Sequence, residues 1–255
     1  MIYLYGLADT GPDRSDLAEL TGVTGPVEMA KTGAGWLLFS RAASDDLLPK
    51  RRHLLAHTRI LETLGESATI LPMRFGMFAR DLDSVEAMQA DSLAQIDAAF
   101  NRVRGHVELG IRIDLDRDAS LSATLAADRA LAREHARLAN LSPAPHFEAA
   151  AFGRRLAEAL DRRRGQAQKT LIATLRDRCA DYRLKSPETD VQILAADILL
   201  PRTDQSSIAQ DLMAAATHVA ADFAPESEPK IRLVGPVPPF NFTDLALSQS
   251  PKEVA

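Results

Sequence analysis

HVELGIRIDLD, His106 to Asp116, alternates along its length. Val107, Leu109, Ile111, Ile113 and Leu115 share one side, and His106, Glu108, Arg112, Asp114 and Asp116 share the other. A period of two, apolar on one side only, is the signature of a β-strand with one buried face and one wet face. Helical patterns follow it: LSATLAADRALAREHARLANL, a break at SPAPH, then a second helix from about Phe147 to Ala180 with Gly165 inside it as a candidate kink. DYRLKS and DVQILAADILLPR read as strands, DQSSIAQDLMAAATHVAADFA as a helix and PKIRLVG as a last strand. The order is βαββαβ, which right-handed crossovers fold into a four-stranded antiparallel sheet with helices on one face.

The residues before His106 give the same order with a shorter first crossover. IYLYGLA is a strand whose one weak point is Gly6. A short helix is predicted in RSDLAELTG, then a hairpin of PVEMAKT and GWLLFSR around Gly33 to Gly35. SDDLLPKRRHLLAHTRILETLG is a helix, with Ser44 or Asp45 as N-cap, Pro49 near the first turn and Gly65 at the C-cap. Leu47, Leu54, Leu61 and Leu64, broadened by Leu48 and Leu55, form its apolar stripe. ATIL is a strand stopped by Pro72, and LDSVEAMQADSLAQIDAAFNRVRG is one further helix. The fold class is therefore α+β, with two domains, residues 1–104 and 105–255, each an antiparallel sheet covered by helices.

Composition bounds the function. The 255 residues carry a net charge of −5, with 46% hydrophobic and 5% aromatic residues. That balance argues against sequence-independent nucleic-acid binding, which needs a basic footprint. HVELGIRIDLD also lacks the aromatics of an RNA-reading sheet. The opening MIYLYGLADTG lacks a basic n-region, and no apolar run is long enough for a bilayer, so neither a signal peptide nor a membrane partner is expected. The tail LSQSPKEVA reads as frayed. A single cysteine, Cys179, forbids an internal disulfide and a cysteine zinc site; it reads as a small buried residue in a reducing compartment.

Chemistry-bearing motifs are few. His53 and His57 share a helix face at metal-ligand spacing, but LLA between them offers no Glu base, and a partly buried pair is the better reading. No Walker loop, G-x-S-x-G or dinucleotide fingerprint is present, so no catalytic residue, cofactor or metal is assigned. PKRRH and DRRRG read as solvated helix faces, with contact to an acidic partner as the alternative.

Two stretches stand out. In ILPMRFG, Arg74 follows Pro72 between Met73 and Phe75, and Gly76 closes the run. Spacing favours Arg74 as a strand-end anchor bonded to carbonyls or an acid, ahead of an exposed hot spot ringed by Met and Phe. In GPVPPFNF, Gly235, Pro236, Pro238 and Pro239 enforce a stiff extended segment, with Phe240 and Phe242 on one side. That segment either clamps onto the other domain or stays out as a partner-binding edge.

YLYG, ILPMRFG and GPVPPFNF, in this order and separation, resemble the gas vesicle synthesis protein F/L family across nearly the whole chain. Val237 stands where that family often has Trp, and Phe240 where it often has Tyr. The resemblance implies a non-enzymatic accessory protein of gas vesicle assembly, acting at the gas vesicle in the cytoplasm. It implies a two-domain α+β plan in which the C-terminal domain is a modified ferredoxin-like fold. It also implies association with the small hydrophobic gas vesicle shell protein and with other accessory proteins. Pro72, Arg74, Phe75, Gly76, Gly235, Pro236, Pro238, Pro239, Phe240 and Phe242 are then the candidate structural or partner-binding residues. The rival is an enzyme or small-molecule-binding protein on ferredoxin-like domains, since that plan hosts many functions.

Overall fold

In the computed structural model, residues 1–243 are described except 12, 142–144 and 226, together with all their side chains but those of 14 and 16. The tail LSQSPKEVA and most of the SPAPH break lie outside the described residues. Two compact units form: Met1–Glu108 together with the segment from Pro236, and Leu109–Gly235. The division falls between Glu108 and Leu109, inside a strand, and not at Arg104 as expected. The Pro-rich segment groups with the first unit and not, as its place in the chain suggested, with the second.

The first unit runs β1 (Ile2–Ala8), α1 (Arg14–Ala18), β2 (Val27–Thr32), β3 (Gly35–Arg41), α2 (Arg51–Gly65), β4 (Ile70–Pro72), β5 (Phe78–Ala79), α3 (Leu82–Ala90) and α4 (Leu93–Val103). Its antiparallel sheet has the order β2-β3-β1-β4, and β5 also pairs with β1. β1 is central, and all seven of its residues are buried. Gly6 is no weak point: a Cβ there would come within 2.7 Å of the Leu71 carbonyl oxygen, and the β1–β3 register shifts at the same place. The glycine lets β4 close on β1.

Helix α2 starts later than its sequence suggests. Lys50 is its N-cap and makes no side-chain capping bond. Pro49 biases Leu48 away from helical angles, and tight turns at Leu47 and Lys50 replace the first turn expected from Ser44 or Asp45. Within α2 the stripe meets the core through His57, Ile60, Leu61 and Leu64, and Leu47, ahead of the helix, packs on the same core. Leu48, Leu54 and Leu55 are exposed. The single helix expected after Arg80 is two, α3 opening on a capping box of Asp81 and Ser84. Ile96, Phe100 and Val103 of α4 are buried as their spacing predicts.

The second unit comprises β6 (His106–Asp114), α5 (Arg117–Ala127), α6 (Arg129–Ala139), α7 (His146–Arg176), β7 (Asp181–Leu184), β8 (Gln192–Pro201), α8 (Gln205–Phe223) and β9 (Lys230–Val237). The strand order β7-β8-β6-β9 repeats that of the first sheet, an order consistent with a ferredoxin-like plan. Asp128 splits the first long helical region by accepting from Ala130 and Leu131 N–H groups, so α6 begins afresh. Helix α7 runs on through Gly165.

The polar face of β6 is drier than its alternation implies. Asp197 of β8 is 3% exposed and lies between Arg112, at 3.5 Å, and the Lys185 ammonium. Asp114 accepts from Gln192 Nε2 at 3.0 Å and Arg232 Nη2 at 3.3 Å. These charges are matched across strands, so the face is half-buried and not wet. Replacing Asp197 by Ala leaves two cations without their carboxylate. Lys185 is half-exposed and can turn to water, which brings the cost below that of a fully buried pair. A loss of about 2–3 kcal/mol is expected in urea denaturation, and an unchanged midpoint would show that the cluster contributes nothing.

Candidate partner-binding surface

The ILPMRFG turn is built on β1. Pro72 ends β4 opposite Gly6, where its missing N–H is tolerated at the sheet edge. The Met73 N–H donates to the Tyr5 carbonyl at 2.8 Å, and the Leu4 N–H donates to the Met77 carbonyl at 2.9 Å. Arg74, Phe75 and Gly76 therefore form the tip of an excursion pinned on both sides by the central strand. Gly76 has φ +84°, a left-handed angle that favours glycine, and space is open around it.

A buried histidine locks this turn to α2. The Met73 carbonyl can only accept, so His57 Nε2 donates to it, at 3.0 Å. In the neutral ring Nδ1 then accepts, and the Tyr3 hydroxyl donates to it at 2.7 Å. The Tyr3 oxygen accepts in turn from the Gly76 N–H at 3.4 Å. Phe75 and Phe78 stand edge-on to Tyr3, with centroids at 6.0 and 5.2 Å, and Phe75 also meets the His57 ring at 5.8 Å. Tyr5 ties another loop: it accepts from the Val23 N–H at 2.7 Å and bonds Ser40 Oγ at 2.8 Å.

The anchor expected at Arg74 is therefore elsewhere. The tie runs through the Met73 backbone and His57. Arg74 is exposed and, among the described residues, makes no hydrogen bond or ion pair. A side chain two residues beyond a proline at the tip of a turn points away from the carbonyls that were to hold it. The sequence reading missed His57 as the anchor. A histidine on the core side of a helix, with tyrosines in the opening strand, was the signal for it. His53, read as its equal partner, lies one turn away and only meets the Leu48 carbonyl and Arg52.

The Pro-rich segment is extended only as far as Val237. Gly235, Pro236 and Val237 belong to β9, a sheet-edge strand where a proline is allowed. The chain then turns, with Phe240 N–H donating to the Pro238 carbonyl at 2.8 Å and Phe242 N–H to the Pro239 carbonyl at 3.1 Å. Phe240 packs on the core that holds Tyr3, Tyr5, Leu61 and Leu64, and Phe242 is 1% exposed. Glu108, itself buried, accepts from the Asn241 backbone N–H at 2.8 Å and from its side-chain amide at 2.5 Å. Arg232 through Pro236 of β9 remain exposed, with Leu233 at 38% and Val234 at 62%.

In a cleft between α7 and α8 Arg163 donates to Thr124 and to the Asp222 carbonyl and lies 5.0 Å over the Phe223 ring. Cys179 is half-buried, not fully buried as expected, and burial pushes its thiol up.

The family profile described as Gas vesicle synthesis protein GvpL/GvpF matches residues 1–244. The chain belongs to the GvpL/GvpF family. A gas vesicle protein F of Streptomyces sp. (strain CB03234) is 28% identical over 255 residues, covering 95% of this chain and 99% of that protein. One from Microcystis aeruginosa (strain PCC 7806) is 29% identical, covering 84% and 88%. The crystal structure of GvpF from Anabaena sp. PCC7120 superposes with a TM-score of 0.83 at 21% identity, covering 96% of this chain and 98% of that one. The M. aeruginosa GvpF crystal structure gives 0.76 at 26% identity, covering 96% and 99%. The two-sheet α+β architecture is thus shared with this GvpL/GvpF fold along almost the whole chain.

Two outcomes test the construction of the site. Burial lowers the His57 pKa below its ordinary 6.5, against the raising effect of the Met73 carbonyl. Below about pH 6.5 the unfolded chain takes up the proton while the folded ring resists it, so this contribution to stability is present above that pH and is lost as pH falls through the folded value. The urea midpoint is expected to fall from about pH 7 to about pH 5, and His57→Gln should flatten that slope. Phe242→Ala should cost about 3–4 kcal/mol by leaving a cavity, read by the same denaturation assay.

Proposed function

We propose that this GvpL/GvpF member is a non-enzymatic accessory protein of gas vesicle assembly, acting in the cytoplasm and at the gas vesicle. In this reading it binds the small hydrophobic shell protein, alongside other accessory proteins. Family membership supports the assembly role. The observation that carries the binding reading is strand β9. It lies at a sheet edge with Leu233 and Val234 exposed. Natural edges are guarded by charge, proline or cover. Here Lys230 and Pro236 stand near the two ends and the charge between them, Arg232, is paired with Asp114, leaving Leu233 and Val234 as the apolar part of the edge.

Such an edge fits strand addition. An extended apolar segment of the shell protein gains main-chain hydrogen bonds there and covers the two apolar side chains. Covering that segment keeps an aggregation-prone subunit competent for assembly. Arg74, exposed at the tip of a pinned turn, is a second contact in this reading.

Co-expression with the shell subunit tests it. The subunit is expected in the soluble fraction with this chain present, and to return to the pellet with Val234→Lys. Arg74→Ala should leave the unfolding free energy from urea denaturation within about 0.5 kcal/mol, as for an unpaired surface residue, while lowering vesicle yield. A shell subunit that pellets equally with and without the chain overturns the reading.

A further inference from the structure

We propose that the outward face of α2 is a docking surface for an acidic amphipathic helix of a partner protein. On α2, Leu55 is 58% exposed and Leu54, the residue before it, 43%, while Leu48, in the turn that leads into the helix, is 63% exposed. Residues three and four apart are neighbours on a helix surface. Arg51 and Arg52 therefore lie one turn before Leu55, and Arg59 lies one turn after it, all three exposed. The buried residues His57, Ile60, Leu61 and Leu64 occupy the opposite side. The result is an apolar centre ringed by guanidinium groups, the layout of an interface anchor with a charged rim.

This arrangement works against the isolated helix. The positive end of the helix dipole carries Lys50, Arg51 and Arg52, with no acidic residue in the first turn and no side-chain cap. Cations there are unfavourable, as are exposed leucines. Asp45 and Asp46 precede the helix and Glu62 follows on its outer side, yet Arg51 and Arg59 make no ion pair among the described residues. Arg52 bonds only the His53 ring, at 3.1 Å. Other exposed arginines do find carboxylates, as in Arg41–Glu28 and Arg117–Asp190, although Arg74, Arg129 and Arg133 do not among the described residues. An acidic helix with its own apolar stripe resolves both conflicts: its leucines cover Leu48, Leu54 and Leu55, and its carboxylates meet the three arginines and the bare helix start. The surface lies in the first unit, so it is a different site from the β9 edge and does not rest on the shell-protein reading.

The full chain is titrated with a fluorescent synthetic helix roughly 18 residues long, bearing leucine on one face and glutamate on its flanks. The controls are a scrambled peptide of identical composition and vesicles of anionic phosphatidylglycerol. The striped peptide is expected to bind at least about tenfold more tightly than the scrambled one, and added salt should weaken it. Leu55→Asp, and Arg51→Glu with Arg59→Glu, should each reduce affinity about tenfold or more at an unchanged thermal midpoint. Equal binding of both peptides, or full affinity in the variants, overturns the proposal. So does Leu55-dependent binding to vesicles without binding to the peptide. No shell protein enters the assay, so failure here leaves the assembly reading standing.

Discussion

One neutral imidazole joins three elements of the first unit. His57 reaches from α2 to the Tyr3 hydroxyl on the central strand and to the Met73 carbonyl at the start of the turn. A buried ring with two specified partners is costly to misplace, since each unmet group carries its desolvation penalty. The position of α2 on the sheet, the edge-on packing of Phe75 and Phe78 against Tyr3 and the path of the turn must therefore agree. What the turn presents outward, Arg74, is exposed because what it presents inward is fixed.

The second unit meets a related constraint with charges. Asp197 is buried in β8, a strand buried along nearly its whole length, and stays there because Arg112 and Lys185 flank it. The cross-strand match sets which residues face each other, since a one-residue slip would move the carboxylate to the helix side. Both sheets therefore carry a polar device that fixes register where apolar packing alone tolerates sliding. The exposed surfaces, the β9 edge and the outer side of α2, lie on elements whose inner faces or neighbours are held in this way.

Much of the architecture was legible residue by residue. The alternation of Val107 to Leu115 and the three-four spacing of Ile96, Phe100 and Val103 identify their elements, because periodicity records which face is buried. The motifs ILPMRFG and GPVPPFNF pointed to the family that the full-length match then showed. Less legible were the breaks. Asp128 divides a region that reads as one helix, since a capping carboxylate and a helical surface carboxylate look alike in sequence. β5 is too short to leave a pattern.

The sequence by itself determined the order of the long elements, the two similar halves and the family, since these rest on local periodicity and on motifs contiguous in the chain. Tertiary structure alone decided the rest. It placed the anchor at His57 and not Arg74, turned GPVPPFNF back so that Phe240 meets the first unit's core, and left Leu55 facing outward from a stripe that reads as uniformly buried. Each depends on partners far apart in sequence: Tyr3 with His57, Glu108 with Asn241, Gly6 with Leu71. Local spacing tells which residues share a face. Only the packed chain shows what that face meets, and so which arginine is bound and which is exposed.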